Sequence, residues 1–62
     1  MYKIEIEKAD GEIRYLNDGK EYERDFAEEM VEYVWNMKAH TGNYAAFRVV
    51  GADGEVLTEF EC

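Results

Sequence analysis

The tetrapeptide Ala-Asp-Gly-Glu occurs twice, at Ala9-Asp10-Gly11-Glu12 and at Ala52-Asp53-Gly54-Glu55, and each copy is followed by a β-branched apolar residue, Ile13 or Val56. Asp-Gly between alternating apolar runs is a strong hairpin signal, because a type I′ turn needs positive φ at both central residues and these two residues tolerate it best. The chain is therefore predicted to carry one β-hairpin near each end.

Taking Asp10-Gly11 as a two-residue loop sets Lys8 opposite Ile13, Glu7 opposite Arg14 and Ile6 opposite Tyr15. One face then carries Ile4, Ile6, Ile13 and Tyr15. The other carries Lys3, Glu5, Glu7 and Arg14, with Glu7 and Arg14 as a cross-strand ion pair. The same loop at Asp53-Gly54 sets Val50 opposite Leu57, Val49 opposite Thr58, Arg48 opposite Glu59 and Phe47 opposite Phe60. Its core face is Ala45, Phe47, Val49, Val56 and Phe60. The far face pairs Arg48 with Glu59 and also holds Ala46, Val50 and Leu57, with Leu16 nearby.

Between the hairpins, Phe26, Ala27, Met30, Val31, Val34 and Met37 recur at three- and four-residue spacing, which is the pattern of an amphipathic helix. Gly42, or Asn43, suits the left-handed conformation that ends such a helix. Asp18 with Glu21 and Asp25 with Glu28 both have capping-box spacing. Length favours Asp25: a helix over 25–40 is about 24 Å long, close to the ~23 Å of a seven-residue strand. That leaves 17–24 as a charged connection with a turn at Asn17-Asp18-Gly19.

The expected fold is α+β: a two-layer β-β-α-β-β domain over 1–62, with a hairpin over 2–16, a helix over about 25–40 and a hairpin over 44–61. A lone hairpin is marginal in water, so the two join into one four-stranded antiparallel sheet with the helix packed on one face. Alternation does not fix the strand order.

A chain of 62 residues buries about 60% of its unfolded surface, and domains of this size often need extra support. A single Cys62 closes no internal disulfide, and His40 with Cys62 is too small a set for a structural zinc site. No cofactor or metal is expected. No uncharged run approaches the length of a membrane span, so the expectation is a soluble, cytoplasmic protein.

Seven basic against fifteen acidic residues give a net charge of −8. Affinity for phosphate backbones rests on clustered Lys and Arg, so direct nucleic-acid binding is disfavoured. An acidic surface instead favours a partner with a basic one. Glu21, Glu23, Asp25, Glu28, Glu29 and Glu32 outnumber Lys20 and Arg24 around the helix start, placing about half the net charge there.

With Met30 at the centre of the buried stripe, Trp35 lies about 140° round the helix, on a strip with Glu28, Glu32 and Ala39. Glu28, Glu32 and Trp35 are thus the candidate partner-binding residues, since Trp is enriched among residues that dominate binding energy. The competing reading has Trp35 covering the sheet edge. Leu16, Val50 and Leu57 are the candidate self-association residues, and exposed strand edges offer a second route to a homodimer.

No acid–base pair is singled out by spacing, and a two-layer domain this small is expected to hold no pocket-sized volume, which speaks against an enzyme. In size, charge and lack of enzymatic motifs the chain resembles the small acidic proteins of phages and mobile elements, including anti-CRISPR proteins and DNA mimics. That resemblance covers no motif and carries over no site residue. The expected function is a non-enzymatic protein-interaction module, an inhibitor binding a basic site on a nucleic-acid-handling protein. The alternative is a homo-oligomeric or complex-embedded domain whose acidity serves solubility.

Overall fold

The structure is a computed structural model and describes residues 1–61. Cys62 lies outside the described residues. Strands β1 (Tyr2–Lys8), β2 (Ile13–Tyr15), β3 (Tyr44–Gly51) and β4 (Val56–Glu61) form one antiparallel sheet in the order β2-β1-β3-β4, and helix α1 (Arg24–Lys38) packs on one face. This is the expected α+β fold. The order left open by the sequence places the first strand of each hairpin side by side at the centre, where Ile4 pairs with Val49 and Ile6 with Phe47. Three of these four, together with Ala27 and Val31 from the helix, are fully buried.

Both turns are longer than a two-residue loop. Gly11 N–H donates to Lys8 O at 2.9 Å and Lys8 N–H to Glu12 O at 2.8 Å, so three residues, Ala9-Asp10-Gly11, make the loop. Only Gly11 (φ 92°) is left-handed within it. Asp10 contributes through its side chain instead, its Oδ1 accepting the Glu12 N–H at 2.9 Å. Gly51, Asp53, Gly54 (φ 87°) and Glu55 repeat the arrangement, with Asp53 Oδ1 accepting from Glu55 N–H at 3.0 Å. This is a type I turn closed by a left-handed glycine, in which the aspartate satisfies a backbone donor.

One extra loop residue shifts the register by one, and a shift of one turns every side chain over. In the first hairpin the shift stands: Glu5 pairs with Tyr15, Ile6 with Arg14 and Glu7 with Ile13. Ile13 and Tyr15 therefore leave the expected core face and are exposed on the open face of the sheet, and the expected Glu7–Arg14 pair does not form. This reversal is tolerated because α1 rests on β1, β3 and β4 and does not reach β2. In the second hairpin a β-bulge corrects the shift: Val50 pairs with Val56, but Val49 pairs with Thr58, leaving Leu57 as the extra residue of β4. Beyond the bulge, Arg48 lies opposite Glu59 and Phe47 opposite Phe60, as expected. At the bulge, Val56 and Leu57 exchange places. Val56 is exposed, and Leu57 packs against the core. Leu16 also packs there, so the expected cluster of Leu16, Val50 and Leu57 on the far face is not formed.

The segment between β2 and α1 continues the sheet edge after an interruption. Leu16–Gly19 form a 3-10 turn with Asn17 (φ 51°), Asp18 (φ 59°) and Gly19 (φ 88°) all left-handed, after which Tyr22 exchanges two backbone hydrogen bonds with Tyr2 at 2.8 and 2.7 Å. Asn17 Nδ2 donates to the Tyr22 hydroxyl at 2.6 Å, and the Tyr22 ring is buried. Neither Asp18 nor Asp25 caps the helix. Glu23 is the N-cap residue, without a side-chain capping hydrogen bond, and Asp25 lies in the first turn. A second 3-10 turn, Ala39–Thr41, ends at left-handed Gly42 (φ 79°), the expected terminator.

Two substitutions test the packing and the turns by denaturant unfolding. Phe47→Ala, at the fully buried centre of the sheet, is expected to destabilise by about 3–5 kcal/mol. Gly54→Ala meets no atom within 4 Å, yet forces a side chain into a left-handed backbone, with an expected loss of about 1 kcal/mol. Wild-type stability for Gly54→Ala would contradict the assigned turn.

Candidate protein-binding surface

Helix α1 presents a different face to the sheet from the one its apolar spacing suggested. The buried line runs through Ala27 and Val31, with Val34 and Trp35 partly buried beside it, in place of a stripe centred on Met30. Trp35 sits one turn beyond Val31, about 40° round the helix. Its ring meets Phe47 edge-on at 5.4 Å and stacks with Phe60 at 6.1 Å. Trp35 is thus a core-rim residue covering the β4 edge of the sheet, as the competing reading had it, and its place on an outward strip with Glu32 is corrected. Placing this large ring on two phenylalanines outweighs the partial exposure of Phe26 and Met37 on the opposite flank.

Glu28 is also drawn inward. One of its oxygens accepts the Thr58 hydroxyl hydrogen at 2.9 Å, and the other lies 3.7 Å from Arg24. Of the three expected partner-binding residues, Glu32 alone is exposed on the helix.

The rotation brings two parallel rows to the outward side of α1. Phe26, Met30, Tyr33 and Met37 recur at four-, three- and four-residue steps and form an apolar strip. Phe26 is 50% exposed, Tyr33 66% and Met37 51%, while Met30 is half-buried. Phe26 leans on the buried Tyr22 ring at 5.3 Å. One step round the helix, Asp25, Glu29 and Glu32 form an acidic row, all exposed. The strip has a sequence signal: between Phe26 and Met37 the apolar residues span a wider arc than one contact with a sheet requires.

The charges divide unevenly. Arg48 lies on the open face of the sheet, 19% exposed, and donates to Glu5 at 2.8 Å, to Glu7 at 2.6 Å and to Glu59 at 2.5 Å. Hydrogen bonds from Arg48 to Glu7, then to Glu59 and Glu5, hold its guanidinium more firmly protonated than usual, against the opposing effect of burial. Arg14 and Lys8 both pair with Glu12, at 2.9 and 3.6 Å. The Arg14 hydrogen bond keeps the Glu12 carboxyl below the usual range. Arg24 approaches Glu28, while Lys3, Lys20 and Lys38 lie over the rings of Tyr15, Tyr22 and Tyr44 at 5.8, 5.7 and 6.0 Å. All seven basic side chains thus have an intramolecular partner. Among the described residues, Glu21, Glu23, Asp25, Glu29 and Glu32 around α1 enter no ion pair, and neither do Asp10, Asp18, Asp53, Glu55 and Glu61 elsewhere.

A concavity of about 600 Å³ is an open depression over the part of β1 and β2 that the helix leaves uncovered, lined by Ile6, Lys8, Arg14, Asp18 and Tyr44 among others. Its volume exceeds the expectation for so small a domain. Its two cations are those held by Glu12. Among the described residues no group of three His, Cys, Asp or Glu side chains is placed to hold a metal ion, and no helix is long and apolar enough to cross a membrane.

The Arg48 cluster gives a direct test. Arg48→Ala leaves three carboxylates together on the sheet without their cation, and is expected to destabilise by about 1–3 kcal/mol, less than a deeply buried cluster because water screens it. Arg48→Lys, lacking the planar fork, is expected to recover only part of the loss. Urea unfolding of both variants at neutral pH checks this, and an unchanged midpoint for Arg48→Ala would show that the cluster contributes nothing.

Comparison of the chain with protein-family models, with curated proteins and with solved structures found no match.

Proposed function

We propose that this chain is a small non-enzymatic protein-interaction module that binds a basic site on a nucleic-acid-handling protein, as an inhibitor of the kind it resembles in size and charge among phage and mobile-element proteins. The observation that carries this reading is the division of charge. Every Lys and Arg has an intramolecular partner, while Glu21, Glu23, Asp25, Glu29 and Glu32 around the start and outward side of α1 enter no ion pair among the described residues. Such a surface repels phosphate and attracts clustered Lys and Arg. It accelerates encounter with a basic partner and competes with nucleic acid for the same site. For the homo-oligomeric alternative, the expected cluster is divided, because Leu16 and Leu57 pack against the core and Val50 stands on the sheet face that carries the Arg48 cluster, while the second expected route, an exposed strand edge, is kept by β4.

Immobilised protein should retain a basic nucleic-acid-binding protein from a host lysate. Raising salt from about 0.1 M to about 1 M, which shortens the screening length from ~10 Å to ~3 Å, should release it, as should competing duplex DNA. Glu29→Lys with Glu32→Lys should abolish retention without loss of fold, since both side chains are exposed. Retention that ignores salt, DNA and both reversals would remove the electrostatic reading.

A further inference from the structure

We propose that the strip Phe26, Met30, Tyr33 and Met37 is a docking site for a basic amphipathic helix of a partner protein. This deepens the reading of the chain as a binder of basic proteins and rests on it. The strip is a second apolar face of α1: the first, through Ala27, Val31 and Trp35, is already spent on the sheet. Its four-, three- and four-residue steps are those with which one helix lies along another, and its eleven-residue span is about 16 Å, three helical turns. The residue types suit a contact. Met30 and Met37 adapt their shape to an apolar surface. Phe26 is steadied by its contact with Tyr22, and Tyr33 offers a ring with a wet hydroxyl.

Charge selects the occupant. Asp25, Glu29 and Glu32 run beside the strip, and Glu21 and Glu23 stand just before its N-terminal end, all exposed. A helix with Leu-type residues on one face and Lys or Arg beside them places its apolar side on the strip and its cations against this row. A second copy of the chain brings an identical acidic row and a net charge of −8, so the two helices repel.

The test uses synthetic peptides on the intact protein. A Leu/Lys peptide of about 18 residues, patterned as an amphipathic helix of roughly five turns, is titrated into isotope-labelled protein beside a scrambled peptide of the same composition. The patterned peptide is expected to bind at least about ten-fold more tightly, with NMR shifts concentrated on Phe26, Met30, Tyr33 and Met37. Tyr33→Ser with Met37→Ser should weaken it by about ten-fold while leaving the melting temperature near that of the parent, because both side chains are at least half exposed. Equal binding of both peptides would overturn helix docking and leave electrostatic capture standing. Binding of neither would overturn both. A dimer in light scattering that the double substitution dissociates would assign the strip to a second copy and overturn the proposal.

Discussion

The pairing of β1 with β3 is the contact on which the rest of the structure depends. It joins two hairpins that are each marginal alone, and it does so through residues about forty positions apart in the chain. On the helix side it aligns Ile4 with Val49 and Ile6 with Phe47, the platform on which Ala27 and Val31 rest. On the open side the same register sets Glu5 beside Arg48, which then reaches Glu7 and Glu59. One cation thus ties β1, β3 and β4 together across the face that no helix covers. A sheet built in this way holds its centre by burial on one side and by a charge cluster on the other.

The two identical turns show how a local solution is overruled where the core demands it. Both add a third loop residue, so both shift the register by one. Under the helix, Phe60 has to meet Phe47 and Trp35, and β4 restores the register with a bulge at Leu57. At the other edge there is no helix above β2, so Ile13 and Tyr15 turn to the open face, where Tyr15 meets the ammonium group of Lys3. The strand stays three residues long and is followed by the left-handed turn at Asn17, Asp18 and Gly19, which interrupts the exposed edge. A short, interrupted edge is poorly suited to pairing with another chain.

The rotation of α1 decides which residues face outward. Trp35 on Phe47 and Phe60 draws the helix toward β4, and Glu28 follows it to Thr58. The opposite flank is left apolar and exposed beside an acidic row. The acidity is thus partly structural and partly surplus: Glu5, Glu7, Glu12, Glu28 and Glu59 pair with Arg48, Lys8, Arg14 and Arg24, and the acids around the start of α1 that enter no ion pair among the described residues give that surface its sign. The proposed binding role draws on this surplus and on the apolar flank together.

The elements themselves were legible in the residues: two hairpins at the repeated Asp-Gly, a helix between them ended by Gly42, the Arg48–Glu59 and Phe47–Phe60 pairs, and one antiparallel sheet beneath one helix. Alternation and helical spacing are local properties, written in neighbouring residues, and they determine element type wherever burial is one-sided. Only the tertiary structure decided the strand order, the bulge at Leu57, the reversal of Ile13 and Tyr15, and the turn of α1 that packs Trp35 on the core rim and exposes Phe26, Tyr33 and Met37. Each of these depends on which distant surface an element meets. An apolar arc wider than one contact can be satisfied in several rotations, and the largest ring found the largest platform. The candidate surface follows from that choice: the exposure of Glu32 agrees with its place in the acidic run, whereas the wide apolar arc signalled a surplus of apolar residues without deciding which of them would face outward.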